Sequence, residues 1–157
     1  MKECQFCSGI GGDCTQHVFW RLQNGLLSSC TPKLVVVLVG TNNHNHTSDQ
    51  VVEGLETIAW CVNNNHPQCK TLLLGLLPRG ERPNHLREKV YRVNHALKEI
   101  VSMVPGTYYL DADPGFVRTD GCIAHEDMND YLHMTRRGYS RFGPVVAGMV
   151  KKILNAP

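Results

Sequence analysis

Two unbroken apolar runs stand out along the chain. Leu34-Val35-Val36-Val37-Leu38-Val39 is closed by Gly40, and Thr71-Leu72-Leu73-Leu74-Gly75-Leu76-Leu77 is closed by Pro78. Short runs without polar alternation, bounded by turn residues, predict strands buried on both faces, as in a parallel sheet. Tyr108-Tyr109-Leu110-Asp111-Ala112-Asp113, ended by Pro114-Gly115, is a third strand candidate. Between these runs the apolar spacing turns helical, over Asp13 or Thr15 to Leu26, Ser48 to Val62, Leu86 to Val104 and Thr135 to Leu154. Ser48 and Thr135 are good N-cap residues at two of these starts. The alternation predicts βαβ units, with every strand-to-helix junction on one sheet edge, where open α/β folds build their ligand sites.

Composition narrows the class. At 157 residues, 42% hydrophobic and 19% charged, the chain reads as one soluble globular domain over 1–157, and no internal repeat divides it. The net charge is only +2, and the basic residues Lys33, Arg79, Arg87, Arg136 and Lys151 are spread out, so neither nucleic acid nor an acidic membrane surface is implied as a partner. No apolar run reaches the roughly 18 residues of a membrane span, and no apolar segment follows Met1-Lys2-Glu3-Cys4. Seven cysteines (Cys4, Cys7, Cys14, Cys30, Cys61, Cys69 and Cys122) lack a repeating spacing, which fits free thiols and a cytoplasmic location. Cys4-Gln5-Phe6-Cys7 has a CxxC spacing without the second pair or the preceding strand that metal or redox chemistry requires.

Candidate chemistry collects at the junctions. Asp130-Tyr131-Leu132-His133 sets a carboxylate and an imidazole three residues apart, so both can face one side of a turn and act as an orienting acid and a base. The same spacing also suits a turn acid beside an imidazole bonded to a backbone carbonyl. Gly40-Thr41-Asn42-Asn43 follows the most hydrophobic run, where the Asn42 amide either offers a donor to an oxyanion or simply tolerates a turn. Gly9-Ile10-Gly11-Gly12-Asp13 opens the first helix with exposed N–H groups suited to an anion, yet it does not complete a GxGxxG fingerprint. It leaves a flavodoxin-like phosphate or flavin binder as one reading. His125-Glu126-Asp127 reads as a solvated loop, and His44 and His46 have no third partner with which to hold a metal.

Five blocks in order carry a resemblance: Gly9-Ile10-Gly11-Gly12-Asp13, Val39-Gly40-Thr41-Asn42-Asn43-His44, Leu74-Gly75-Leu76-Leu77-Pro78-Arg79-Gly80, Asp111-Ala112-Asp113-Pro114-Gly115-Phe116-Val117 and Asp127-Met128-Asn129-Asp130-Tyr131-Leu132-His133. From about 9 to 154 the chain resembles the SGNH (GDSL-like) hydrolases. Within them it is similar to the catalytic α subunits of platelet-activating-factor acetylhydrolase IB, in wording nearer to α1 than to α2. The resemblance implies a flavodoxin-like three-layer α/β/α sandwich with a parallel sheet. It further implies hydrolysis of a short ester, the sn-2 acetyl group of a phospholipid, without a cofactor or metal. His133 would be the general base and Asp130 its orienting acid. The Gly12 N–H and the Asn42 side chain would be oxyanion donors, and Thr41 and Leu132 would limit the acyl pocket. Implied partners are a second α subunit, in a homo- or heterodimer, and the WD-repeat lissencephaly regulatory subunit.

The family pattern begins with a strand ending in Gly-Asp-Ser, whose serine is the nucleophile. These 157 residues contain no Gly-Asp-Ser. Gly12-Asp13-Cys14 is the nearest string, but it falls in the second block, where Cys14 starts a helix, and Ser8 has no equivalent role. The resemblance places the missing strand mid-sheet, so the expectation is an N-terminally incomplete hydrolase domain with unpaired strand edges and an exposed apolar face. Lys2-Glu3-Cys4-Gln5 would make a poor core strand in its place. On this reading the chain alone is inactive, being either a partial acetylhydrolase sequence or a non-catalytic subunit that pairs with full-length ones.

Overall fold

The structure is a computed structural model that describes residues 6–156. Three strands, β1 (Leu34–Val37), β2 (Lys70–Leu74) and β3 (Thr107–Leu110), alternate with α1 (Thr15–Gln23), α2 (Ser48–Asn65), α3 (His85–Met103) and α4 (Arg136–Asn155). The sheet is parallel in the order β1-β2-β3, with Val36 opposite Leu72 and Leu72 opposite Tyr108. Side chains alternate across β2, as the pleat requires. Leu73 joins Val37, Val39, Val51, Leu55, Val93 and Leu97 in one core, which Val18 and Phe19 of α1 also cover. Leu72 and Leu74 join Phe116, Met128, Phe142 and Ile153 on the opposite face. Helices α1 to α3 therefore cover one face and α4 the other, giving the expected three-layer sandwich.

The elements end where polar side chains take over the backbone. β2 stops at Leu74 rather than Leu77 because the Asn94 side chain accepts from the Leu76 N–H (2.7 Å) and donates to the Leu76 carbonyl (2.9 Å). β3 stops at Leu110 because the Asp113 carboxylate accepts from the Gly115 and Phe116 N–H groups and turns the chain. α1 ends at Gln23, not Leu26, and the Asn24 amide donates to the Trp20 carbonyl at 2.7 Å. Ser48 is not the cap of α2. Thr47 accepts from the Gln50 N–H at 3.2 Å while Gln50 Oε1 accepts from the Thr47 N–H at 2.9 Å, a reciprocal box that leaves Ser48 as the first helical residue. Thr135 caps α4 as predicted, accepting from the Gly138 N–H.

β1 departs from the burial that its apolar run predicts and shows the exposed apolar edge that the resemblance led us to expect. It ends at Val37, two residues short of the apolar run, and it is not buried on both faces. Val36 is 42% exposed and Leu38 is 44% exposed, because β1 is an edge strand among the described residues and, of its residues, Leu34 packs into the core on the α4 side. Among the described residues no strand precedes Gly9. Cys4 of the CxxC spacing and the segment Lys2-Glu3-Cys4-Gln5 lie outside the described residues. Just past β1 the chain passes close under α2 at Gly40 (φ 127°), where a Cβ would come within 3.0 Å of Val51 and 3.2 Å of Leu76. That crossing starts the first of three loops, 38–47, 75–84 and 111–135, which all leave the sheet at the carboxyl ends of its strands.

Candidate active site

The Asp130–His133 turn is built by its own carboxylate. Asp130 Oδ1 accepts from the backbone N–H groups of Leu132 (3.1 Å) and His133 (2.7 Å), and Asp130 Oδ2 lies 2.6 Å from His133 Nδ1. Closing so tight a turn drives Tyr131 to φ 59°, the one non-glycine at positive φ among the described residues. Strain of this kind persists only where the surroundings over-determine it. Here the Tyr131 N–H donates to Met128, and its carbonyl accepts from the Gly80 N–H at 2.8 Å. The ring hydrogen bond from His133, followed by the backbone bonds, holds the Asp130 carboxyl well below the usual carboxylate range. With Nδ1 tied to a carboxylate, Nε2 is the free ring nitrogen, and the His133 side chain is 79% exposed and open to a reactant.

Asn42 meets the turn before α1 through one hydrogen bond, at Asp13. The Asn42 Nδ2 donates to the Asp13 carbonyl at 2.9 Å. An amide nitrogen carries two protons, so one remains for another acceptor. Gly12 is exposed, at φ 85°, in the turn that delivers the chain into α1. The neighbouring Asn43 was not singled out by sequence and does structural work. It is buried, accepts from the Thr15 N–H (3.0 Å) and donates to the Thr15 hydroxyl (3.1 Å), locking the start of α1 to the loop after β1.

Among the described residues no hydrogen bond joins the Asp130–His133 turn directly to Gly12 or Asn42. The connection runs through Arg79, whose Nη1 donates to the Thr41 carbonyl at 2.8 Å, and then through Gly80 to Tyr131. Arg79 and Leu86 also wall two adjacent depressions. The larger, about 300 Å³, is shared with Asn84, His85, Asp130 and Leu132. The smaller, about 10 Å³, takes Thr41 and His44 and has room for little beyond a water. Thr41 and Leu132 thus sit in neighbouring depressions, not in one pocket.

Three further candidates resolve. Cys14 is the N-cap of α1, with its N–H donating to His17 Nδ1 at 3.1 Å. His46 Nδ1 lies 2.7 Å from the Asn43 amide, which makes it part of the loop scaffold, while His44 is exposed. The His125-Glu126-Asp127 segment is not merely a solvated loop. Asp127 is buried and pairs with Arg141 (2.6 Å) and Arg137 (3.2 Å), anchoring α4 beneath the His133 turn, a role that an i, i+14 spacing does not announce in sequence.

Comparison with known proteins places the chain in a family. The model of the GDSL-like lipase/acylhydrolase family matches residues 4–141. The chain belongs to this family. This GDSL-like chain is 56% identical over 132 residues to platelet-activating factor acetylhydrolase IB subunit alpha1 from Bos taurus, covering 84% of the chain and 57% of that relative. It is 46% identical over 145 residues to the alpha2 subunit from Gallus gallus, covering 92% of the chain and 63% of the relative. The higher identity to alpha1 agrees with the wording of the blocks. The chain thus spans little more than half the length of the alpha1 relative. In fold, the GDSL-like chain is similar to a solved protein from Bacteroides fragilis described as an acylhydrolase, with TM-score 0.81 at 19% identity, covering 94% of this chain and 74% of that one. No helix of the described residues is long and apolar enough to cross a membrane.

Proposed function

We propose that this chain carries the acid–base half of an ester-hydrolysing site, in which His133 takes the proton of a serine that lies outside these 157 residues. Asp130 holds the imidazole tautomer and stabilises the imidazolium formed during attack. The Gly12 N–H and the spare proton of the Asn42 amide receive the charge that develops on the carbonyl oxygen. The observation that carries the reading is the 2.6 Å contact between His133 Nδ1 and an Asp130 carboxylate already fixed by two backbone donors. That constellation orients a base in advance, as serine hydrolysis requires.

The alpha1 and alpha2 relatives, whose names specify platelet-activating factor and acetyl hydrolysis, support a substrate of that kind. We assign the sn-2 acetyl ester of a glycerophospholipid. A second α subunit and the WD-repeat regulatory subunit are the partners this reading carries, in the cytoplasm.

Acetate release by the isolated chain tests the nucleophile. Loss of a serine nucleophile costs on the order of 10⁶ in turnover, so the chain alone should release no acetate above background. Joining it to a Gly-Asp-Ser-bearing amino-terminal segment of a relative should restore turnover. Acetate release by the unjoined chain that Cys14→Ala abolishes and Ser8→Ala does not would contradict the reading and make Cys14 the nucleophile.

A further inference from the structure

Four cations, Arg79, Arg82, Arg87 and Lys89, lie on or against the loops around Arg79, and none lies within 4 Å of a carboxylate among the described residues. Arg87 spends its guanidinium on four backbone carbonyls, those of Arg79, Gly80, Glu81 and Gly121. Lys89 donates to the carbonyls of Asn43 and His46. Arg79 differs. One of its three guanidinium nitrogens, Nη1, is bonded, to the Thr41 carbonyl and, at 3.4 Å, to the Thr41 hydroxyl. Nε and Nη2 are left, and they are not among the buried unpaired polar atoms. Asp130, which lines the same depression, has its oxygens engaged by His133 Nδ1 and by two backbone donors. The depression therefore sets a guanidinium with two unbonded nitrogens beside a carboxylate whose oxygens are already engaged, a planar donor geometry that suits a phosphate better than a neutral ester.

We propose that Arg79 is the specificity-determining residue that binds the phosphate of a glycerophospholipid in the depression bounded by Asp130, Tyr131 and Leu132. The inference rests on the ester-hydrolase reading above. In an sn-2 acetyl phospholipid the reacting ester and the phosphate sit on adjacent glycerol carbons, so a phosphate site must share a wall with the acid–base pair. Arg79 does so, and the bond from the Gly80 N–H to the Tyr131 carbonyl fixes the spacing. The Thr41 bond holds the guanidinium in place before substrate arrives, which limits the entropy lost on binding.

The test is a shift titration of the Gly80 and Tyr131 amides in the 157-residue chain, with 1-hexanoyl lysophosphatidylcholine, inorganic phosphate and triacetin as probes. The lysophospholipid should bind more tightly than inorganic phosphate. Arg79→Gln should weaken it about tenfold or more, as expected for a charge-assisted contact, and leave triacetin unchanged. Arg79→Lys keeps a donor for Thr41 but loses the planar fork, and it should weaken the lysophospholipid severalfold, which guards against a merely misfolded Gln variant. Arg82→Gln, an exposed cation outside the depression, should change nothing. A change below twofold in both Arg79 variants, equal weakening of triacetin, or inorganic phosphate binding as tightly as the lipid would overturn the assignment. Turnover by the Gly-Asp-Ser-bearing fusion separates the two readings. An active fusion whose KM for the phospholipid is indifferent to Arg79→Gln sinks this inference alone, and a phosphate-binding chain whose fusion is inert sinks the hydrolase reading.

Discussion

A single carboxylate organises the candidate site. Asp130 uses one oxygen to fold the turn and the other to hold His133, so the same group that orients the base also determines where that base points. Its acidity follows, since every bond it accepts favours the ionised form. The sign is that of a depressed carboxyl. The unfolded value is about 3.9, so the stabilisation is complete above that pH and is lost as pH falls below it toward the lower folded value. The carbon resonance of the Asp130 carboxyl should accordingly show it still ionised at pH 3. The stability difference between the chain and Asp130→Asn should shrink as pH falls below about 4. A midpoint at the ordinary aspartate value would show that the turn is not held this way. The spacing of Asp130 and His133 was legible in the sequence, because a three-residue separation confines both groups to one turn. The positive φ of Tyr131 was not, since Tyr at positive φ is a response to bonds from Met128 and Gly80 that sequence adjacency does not reveal.

At the scale of elements, apolar periodicity fixed which segments are strands and which are helices, and side-chain hydrogen bonds decided where they end. The run through Leu77 reads as one strand, but Asn94, eighteen residues away on α3, takes over the backbone at Leu76. Such long-range caps leave no local trace in composition. Thr47 displaced Ser48 as the α2 cap because Gln50 can return the bond only to the residue three before it. The pattern of β1 was misleading for another reason. Six consecutive apolar residues describe a strand covered on both sides, whereas Val36 and Leu38 are exposed at the sheet edge. Where the chain leaves β1, Gly40 is required by both its backbone angle and its neighbours. Gly40→Ala should cost about 2–4 kcal/mol in denaturant unfolding, combining left-handed strain with overpacking against Val51 and Leu76. A loss under about 0.5 kcal/mol would mean that the loop carrying Thr41 and Asn42 is free to move away from α2.

Across the molecule, two cores on opposite faces of one sheet direct three loops to a single edge, and the residues the resemblance selects fall on them. Asn42 comes from the loop after β1, Arg79 from the loop after β2, and Asp130 and His133 from the loop after β3. Gly12 lies in the turn before α1, whose next residue, Asp13, is tied to that edge by the Asn42 amide. The resemblance supplied this set apart from Arg79, and the chain's own hydrogen bonds link the loops that carry it. Among the described residues no serine or threonine hydroxyl is hydrogen-bonded to His133. The central claim is therefore that His133 and Asp130 await a serine from outside this sequence. The most direct test is the acetyl-ester turnover of the Gly-Asp-Ser-bearing fusion with and without His133→Ala. We predict a loss of about 10⁴–10⁶-fold in kcat with the variant still folded. A loss of less than tenfold would contradict the account, because the imidazole would then not be the base.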